Sequence, residues 1–297
     1  MSDAAVAWLA GARGPFFCFV HYFDPHLPFD APVEFESAAA RAWTGPGHGR
    51  WHQAPIAERV SIIRTPGAME QMARLYDAEV AFADRELGRT VAAARERAGD
   101  AGLWILVTSD HGESKGERDR YFERTLYDDT LRVPLILVPP AGTFAAARGR
   151  VIGGQARTLD VAPTLLDACG LADAFAVDGV SLLPSLAPDG PAPNATSLTA
   201  ILDQSRVEMA VRTPAWKAIW REGYWNRNVY AWDPEERELY DLAADPGESR
   251  DRAAELPDRW EGLAARLDEL RAARPDRDST ALDPEQLRAL KALGYAH

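Results

Sequence analysis

Hydrophobic positions divide the first part of the chain into alternating strands and helices. Apolar residues at steps of three and four predict a helix over Ala68–Ala98. A shorter helix is predicted from Asp160 to Asp167, with Asp160 as its N-terminal cap. Short apolar runs typical of buried strands occur at Phe16–Phe23, Leu103–Ser109 and Pro134–Val138. Because strands alternate with helices, the pattern predicts an α/β fold with a mainly parallel sheet flanked by helices.

The pattern changes at Leu186–Pro193, where the sequence LAPDGPAP predicts a linker or domain edge. Closely spaced apolar runs then predict a small antiparallel sheet, and Leu256–Arg274 has the spacing of a helix. We therefore predict two parts, an α/β core over residues 1–190 and a small α+β subdomain over residues 191–297. Within the core, Ala31–Pro66 has no period and predicts a long surface excursion.

The overall charge argues against two classes of partner. With 45 acidic and 33 basic residues, the formal net charge is −12, which disfavours nucleic acid and anionic membrane surfaces. A small anionic substrate remains compatible, because a bound metal ion can reverse the field locally. No apolar run approaches the roughly 18–20 residues that a membrane-spanning helix needs. The chain also begins without the basic and apolar regions of a signal peptide, and its compartment stays open.

The strand predicted over Leu103–Ser109 ends in an Asp-His-Gly sequence. Asp110 offers a carboxylate oxygen and His111 an imidazole nitrogen, while Gly112 lets the backbone turn tightly after them. Open α/β folds bind ligands at the carboxyl ends of their strands. The pair therefore predicts two metal ligands at that edge, although a strand that simply ends in a polar loop would have the same pattern.

Five motifs, in order, resemble those of the sulfatase family in the alkaline-phosphatase-like superfamily. They are VHYFDPHLPF (Val20–Phe29), TSDHGE (Thr108–Glu113), LYDDTLRVPLIL (Leu126–Leu137), TLDVAPTLLDACGL (Thr158–Leu171) and ELYDLAADPGE (Glu238–Glu248). The resemblance covers Phe16 to Glu248, and the closing segment LKALGY is similar too. It implies an alkaline-phosphatase-like core and hydrolysis of sulfate esters at a divalent metal. Ca²⁺ is the first expectation for that metal, with Mn²⁺ or Zn²⁺ as alternatives.

The resemblance also implies roles for individual residues. Asp110 and His111 match a pair of metal ligands. His26, within Asp-Pro-His-x-Pro, matches a histidine that faces the ester oxygens or the leaving group, although a histidine between prolines can also simply decorate a loop. Family members place a lysine or histidine near the sulfate in the window Phe122–Arg124, and it is missing here. Arg124 is the substitute, since a guanidinium binds paired oxygens; a solvated surface arginine is the alternative.

The nucleophile motif of the family is absent from this sequence. Sulfatases use a formylglycine made from the first residue of Cys/Ser-x-Pro-x-Arg, and neither Cys18 nor Cys169 begins such a motif. The early acidic pair that supplies the first metal carboxylates is missing as well. The chain therefore resembles the C-terminal portion of a sulfatase, with an incomplete core that we expect to be inactive alone. Such a portion is expected to need a missing N-terminal portion or to self-associate.

Two alternatives to a sulfatase stay open. A phosphodiesterase or phosphonate monoester hydrolase of the same superfamily would share the Asp-His-Gly sequence and would also take a small anionic ester. A pseudoenzyme that binds an anion or a partner would fit the missing nucleophile. Because calcium takes roughly six to eight oxygen ligands, one aspartate and one histidine predict weak metal binding.

Overall fold

The computed structural model describes residues 1–46, 56–99, 102–115, 121–122, 125–202, 207–226 and 231–268. The chain divides into two compact units, Met1–Asn194 and Ala195–His297. Among the helices in these ranges, none combines the length and the apolar character needed to cross a membrane.

Helix α4, over Ala68–Ala98, is the longest element of the first unit and has the predicted bounds. Glycines with positive φ lie at both ends, Gly67 at 81° and Gly99 at 71°, and such angles favour glycine. Helix α1, over Ser2–Gly11, packs along α4 and buries Leu9. Helix α1 was not predicted, because ten residues rich in alanine show no clear apolar period.

The long excursion predicted between the first strand and α4 contains short helices. Helix α2 covers Ala38–Arg41 and helix α3 covers Ile56–Ile63. Ser37 caps α2, since its hydroxyl accepts a hydrogen bond from the Ala40 N–H at 3.1 Å. Later in the unit, helix α5 is the single turn Asp128–Leu131, and helix α6 covers Val161–Ala168 close to the predicted position.

The Asp-His-Gly sequence follows the first of two short strands that run antiparallel. Strand β1 covers Ile105–Thr108 and strand β4 covers Leu135–Val138, and Thr108 faces Leu135. The expectation of a mainly parallel sheet is therefore wrong for the described strands, whose pairs are all antiparallel. Parallel neighbours need a crossover of a dozen or more residues, usually a helix. Among the residues described between β1 and β4, the only helix is the one turn of α5, so no such crossover forms there.

The segment Phe16–Phe23 is extended, but no ladder to a neighbouring strand forms in the described structure. Its side chains alternate as in a strand. On one side, the Tyr22 hydroxyl lies 2.6 Å from Thr90 Oγ1 of α4. On the other, Phe17 and Phe19 are 75% and 79% exposed. The strand prediction is wrong here because the described residues provide no partner, and an exposed apolar row of this kind invites association.

The double substitution Phe17→Ser and Phe19→Ser removes both exposed rings. It should raise the highest concentration at which the chain is still monomeric by about fivefold. Sedimentation velocity and dye binding to exposed apolar surface measure this effect. Val151→Ser is the matched control, since Val151 is an apolar residue that is 99% exposed in a loop far from Phe17 and Phe19 in the sequence. Equal association of the double variant and the wild-type chain would show that other surfaces drive self-association.

The second unit contains a four-stranded antiparallel sheet in the order β10-β7-β6-β5. The strands are β5 (Ser197–Leu202), β6 (Val207–Arg212), β7 (Trp216–Arg221) and β10 (Glu236–Asp241). Two further pairs of short strands are β2 (Ser114–Lys115) with β3 (Tyr121–Phe122) in the first unit, and β8 (Tyr224–Asn226) with β9 (Ala231–Asp233) in the second. Helix α7, over Pro257–Ala264, buries Trp260 against the four-stranded sheet. The small antiparallel sheet is therefore confirmed. Helix α7 confirms the first part of the helix predicted over Leu256–Arg274, and residues 269–274 lie outside the described residues.

A buried ion pair fastens the Asp-Pro-Gly-Glu turn to this sheet. Lys217 Nζ lies 2.6 Å from Glu248 Oε1, and both side chains are almost fully buried. Neighbouring Arg221 is buried too, and its Nε donates to Glu208 Oε2 at 2.7 Å. These paired charges explain how Glu248 is buried although most of the turn that carries it is exposed.

Candidate active site

Directly after β1, the backbone turn places Asp110 and His111 side by side. His111 Nε2 lies 3.8 Å from Asp110 Oδ2, with the side chains 34% and 57% exposed respectively. The His111 N–H donates to Asp110 Oδ1 at 3.0 Å, and Ser109 Oγ donates to the His111 carbonyl oxygen at 2.7 Å. Since all these bonds join residues within the turn, the turn itself holds the carboxylate next to the imidazole.

The hydrogen bond of His111 Nδ1 determines which nitrogen of the neutral ring has the lone pair. His111 Nδ1 lies 2.8 Å from the Gly112 carbonyl oxygen. A carbonyl oxygen only accepts, so Nδ1 carries the proton and the neutral ring has its lone pair on Nε2. The nitrogen that has this lone pair lies 3.8 Å from Asp110 Oδ2. Metal-bound histidines commonly donate their second ring N–H to a carbonyl in this way.

Helix α5 forms a platform beneath the Asp-His-Gly turn. The Gly112 N–H donates to the Thr130 carbonyl oxygen at 2.7 Å. A Cβ atom on Gly112 would lie only 2.3 Å from the Asp129 carbonyl oxygen, so only glycine allows the backbones to approach this closely. Ser114 Oγ also donates to Asp129 Oδ2 at 2.9 Å. Sequence reasoning missed Asp129 and Thr130, although both lie within the LYDDTLRVPLIL motif.

His26 lies on the loop that follows the extended segment Phe16–Phe23. Its ring stacks on Phe23 with centroids 4.5 Å apart, and its Nδ1 lies 2.7 Å from the Leu27 carbonyl oxygen. The same reasoning as for His111 places the proton of the neutral ring on Nδ1. The loop then continues through a cis Leu27–Pro28 peptide to Phe29, which is buried in the apolar cluster against α4.

Glu79 of α4 anchors the far end of the same loop. Its carboxylate is buried and accepts hydrogen bonds from the N–H groups of Asp30 and Ala31. Burial raises the pKa of Glu79; the two backbone hydrogen bonds lower it in part, and the carboxylates of Asp24 and Asp30 raise it. A raised folded-state pKa favours the neutral form. The stability that it contributes is full below the ordinary value of 4.5 and is lost as pH rises through the folded-state value.

The structure brings two of the four predicted site residues together. Asp110 and His111 are adjacent, His26 lies on its own loop, and Arg124 lies outside the described residues. Within the described ranges, no group of three or more His, Cys, Asp or Glu side chains is arranged to hold a metal ion. The donor types of Asp110 and His111 fit a divalent cation, but they provide only part of a coordination shell.

Comparison with known families identifies the origin of this turn. Residues 1–171 match the family model described as Sulfatase. The chain belongs to the sulfatase family. Residues 116–272 also match the model described as N-sulphoglucosamine sulphohydrolase, C-terminal. The Asp-His-Gly turn, the α5 platform and the sheet of the second unit therefore lie in regions that these sulfatase models describe.

Curated relatives of this sulfatase-family chain are longer than the chain. The multifunctional alkaline phosphatase superfamily protein PehA of Trinickia caryophylli is 28% identical over 285 residues, covering 83% of this chain and 53% of PehA. Choline-sulfatase of Rhizobium meliloti (strain 1021) is 34% identical over 177 residues, covering 58% of this chain and 31% of that protein. The chain thus spans about half of PehA and about a third of choline-sulfatase.

Solved structures show the α/β fold of alkaline-phosphatase-like enzymes. The phosphonate monoester hydrolase of Agrobacterium radiobacter superposes with a TM-score of 0.68 at 21% identity, covering 92% of this chain and 60% of that one. BT4656, solved with its substrate D-glucosamine-2-N,6-O-disulfate, superposes with a TM-score of 0.63 at 19% identity, covering 94% and 70%. At these identities the likeness establishes the fold alone.

Proposed function

We propose that this chain supplies the metal-binding and substrate-binding side of a metal-dependent hydrolase of sulfate esters. The observation that carries the proposal is the 3.8 Å separation of His111 Nε2 from Asp110 Oδ2, with the lone pair of the imidazole on that nitrogen. Both atoms can contact one cation, since ligand distances are roughly 2.0–2.6 Å for Zn²⁺ and Ca²⁺. Ca²⁺ is the first candidate, and Mn²⁺ and Zn²⁺ also accept this donor pair.

The four predicted site residues have distinct roles in this proposal. A cation held by Asp110 and His111 would neutralise charge on the sulfate group. His26 would donate from Nε2 to the leaving-group oxygen when its ring is protonated, because Nδ1 is bonded to the Leu27 carbonyl oxygen. Arg124 would clamp two sulfate oxygens through its guanidinium. The family membership and the substrate complex of BT4656 support an anionic ester as the substrate class.

Metal titration tests the site itself. In calorimetry, Ca²⁺ and Mn²⁺ should bind with one-to-one stoichiometry and weak affinity, with Kd on the order of 10⁻⁴–10⁻³ M. Asp110→Ala and His111→Ala should each weaken binding by at least about tenfold, since each removes one of two protein ligands. Asp178→Ala is the matched control, because Asp178 is an exposed loop carboxylate. Binding that is equally strong in both site variants would refute the metal site.

Catalytic turnover is tested separately from metal binding. Turnover needs the nucleophile of the family, and no Cys/Ser-x-Pro-x-Arg motif occurs in the sequence. We propose that the 297-residue chain alone hydrolyses neither aryl sulfates nor phosphate diesters at a measurable rate. A chromogenic aryl sulfate assay on the purified chain checks this. Hydrolysis that disappears in Asp110→Ala would contradict the inactivity and at the same time support the metal site.

Phosphonate monoester or phosphodiester hydrolysis is the second candidate. The phosphonate monoester hydrolase of Agrobacterium radiobacter superposes on 92% of this chain with a TM-score of 0.68, against 94% and 0.63 for BT4656. Competition on the Mn²⁺-loaded chain distinguishes the two candidates. Tighter binding of an aryl sulfate than of an aryl phosphonate ester supports the sulfatase proposal. The opposite order of affinities supports the second candidate.

A further inference from the structure

We infer that Tyr76 of α4 is a positioning residue that sets the His26 loop against the Asp-His-Gly segment. The inference rests on the proposed function, since it concerns the relative placement of its two parts. The Phe29 ring meets the Tyr76 ring edge to face, with centroids 5.8 Å apart and planes at 73°. From the other segment, Lys115 Nζ lies 4.9 Å from the centre of the Tyr76 ring. One side chain therefore contacts both segments.

Both neighbours of Tyr76 are close in sequence to the site residues. Phe29 follows His26 by three positions, and Lys115 follows His111 by four. Phe29 is buried in the apolar cluster against α4. Lys115 is preceded by Ser114, which is buried and bonded to Asp129 of the α5 platform. A displacement at Tyr76 is thus transmitted along short, anchored stretches of backbone to both histidines.

The Tyr76 ring is suited to this contact because it stays neutral. Burial raises the pKa of its hydroxyl, and the carboxylates of Glu113 and Asp77 raise it further. A neutral phenol ring offers its electron-rich face to the Lys115 ammonium. One helical turn further along, Glu79 holds the backbone of Asp30. The face of α4 that carries Tyr76 and Glu79 therefore fixes the His26 loop at two points.

Such placement matters because the proposed donor His26 and the proposed metal ligands belong to separate segments. Misplacing reacting groups by about 1 Å can cost a hundredfold in rate. Tyr76 itself has no proposed contact with the ester, so it acts through the groups that it holds. This role predicts a change in the geometry between the two segments and no change in the affinity for the metal.

Paramagnetic relaxation of the His26 ring protons by Mn²⁺ measures this geometry in the full chain. In the wild-type chain, Mn²⁺ at Asp110 and His111 should relax these protons. Tyr76→Phe should preserve the effect. Tyr76→Ala should reduce it about twofold, because paramagnetic relaxation falls with the sixth power of the distance and a displacement of about 1 Å is expected. Mn²⁺ affinity should stay unchanged in both variants. Leu75→Ala is the control, because it removes apolar volume from the same cluster on α4 and should leave the relaxation intact.

Three outcomes would overturn the role of Tyr76: bound Mn²⁺ that leaves His26 unrelaxed, an unchanged effect in Tyr76→Ala, or an equal loss in Leu75→Ala. If Mn²⁺ does not bind the wild-type chain, the proposed function fails and Tyr76 is tested separately. A nitroxide attached through Ser109→Cys, with Cys18→Ser and Cys169→Ser, then replaces the ion. The same three comparisons decide, so the two failures are distinguishable.

Discussion

Asp160→Asn is expected to destabilise the chain by about 3–5 kcal/mol, because it uncharges a fully buried carboxylate whose partners stay behind. Asp160 Oδ2 accepts from the Arg157 N–H at 2.9 Å and from Asn194 Nδ2 at 2.8 Å, while Oδ1 accepts from the Val180 N–H at 3.0 Å. The Arg157 guanidinium adds a bond of 2.8 Å to Oδ1. An asparagine keeps the volume, but its amide group must face donors, so buried N–H groups lose their acceptor.

The pH dependence gives this prediction a second measurement. Burial alone would raise the pKa of Asp160, but hydrogen bonds from the Arg157 side chain and from the Val180 and Arg157 backbones outweigh it and lower the pKa. The resulting stability is present above the ordinary value of 3.8 and is lost as pH falls through the folded-state value. The difference in the free energy of unfolding between wild type and variant, measured with urea, should thus be constant near neutral pH. This difference should become smaller in acid.

Asp178→Asn is the control for Asp160→Asn, since it removes the same charge from an exposed position in the same unit. It should change the free energy of unfolding by less than about 0.5 kcal/mol. A small loss in Asp160→Asn, comparable with that of the control, would mean that the hydrogen bonds around Asp160 do not stabilise the first unit.

Local signals in the sequence were enough to predict the elements that depend on nearby residues. Helix α4 has the predicted bounds because apolar positions repeat along it and glycines with positive φ lie at both ends. The strands of the second unit follow the same logic, since closely spaced apolar runs and turns favour antiparallel neighbours. In both cases the deciding residues lie within a few positions of one another.

Strand pairing in the first unit could not be predicted, because it depends on distant residues. The apolar runs at Phe16–Phe23 and Ile105–Thr108 have similar patterns, yet only the second forms a ladder in the described structure. A pattern of alternating exposure records that a segment is extended, and it contains no information on which segment lies beside it. For the same reason, the antiparallel direction of the β1–β4 pair could not be predicted.

In the candidate site as well, residues that are close in sequence could be predicted and contacts between distant residues could not. Asp110 and His111 are neighbours in sequence, so a motif could place them together. Tyr76 and Glu79 contact loops that lie far from them in the chain, and Glu79 and Asp30 are 49 positions apart. Their own helix shows them only as polar or aromatic residues on a partly buried face, which is the pattern of many helices without a site. Contacts of this kind become visible only once the chain is folded.

Gly112→Ala is expected to weaken Mn²⁺ binding by about 10–100-fold, although Gly112 is not itself a proposed ligand. The new Cβ would lie 2.3 Å from the Asp129 carbonyl oxygen and 3.2 Å from Thr130 Cα, so the turn must move away from α5. The bond from the Gly112 N–H to Thr130 breaks, and the Gly112 carbonyl that holds His111 Nδ1 shifts with it. The lone pair on His111 Nε2 then no longer points beside Asp110.

Calorimetric titration with Mn²⁺, together with urea unfolding, checks this expectation. The overpacked turn should also lower the free energy of unfolding by about 1–3 kcal/mol, and Mn²⁺ binding is therefore compared only at temperatures where the variant is folded. Gly153→Ala is the matched control, because a Cβ at that loop position meets no atom within 4 Å; it should bind Mn²⁺ like the wild-type chain. Wild-type affinity in folded Gly112→Ala would mean that contact with α5 does not orient His111, and the platform would then have only a structural role.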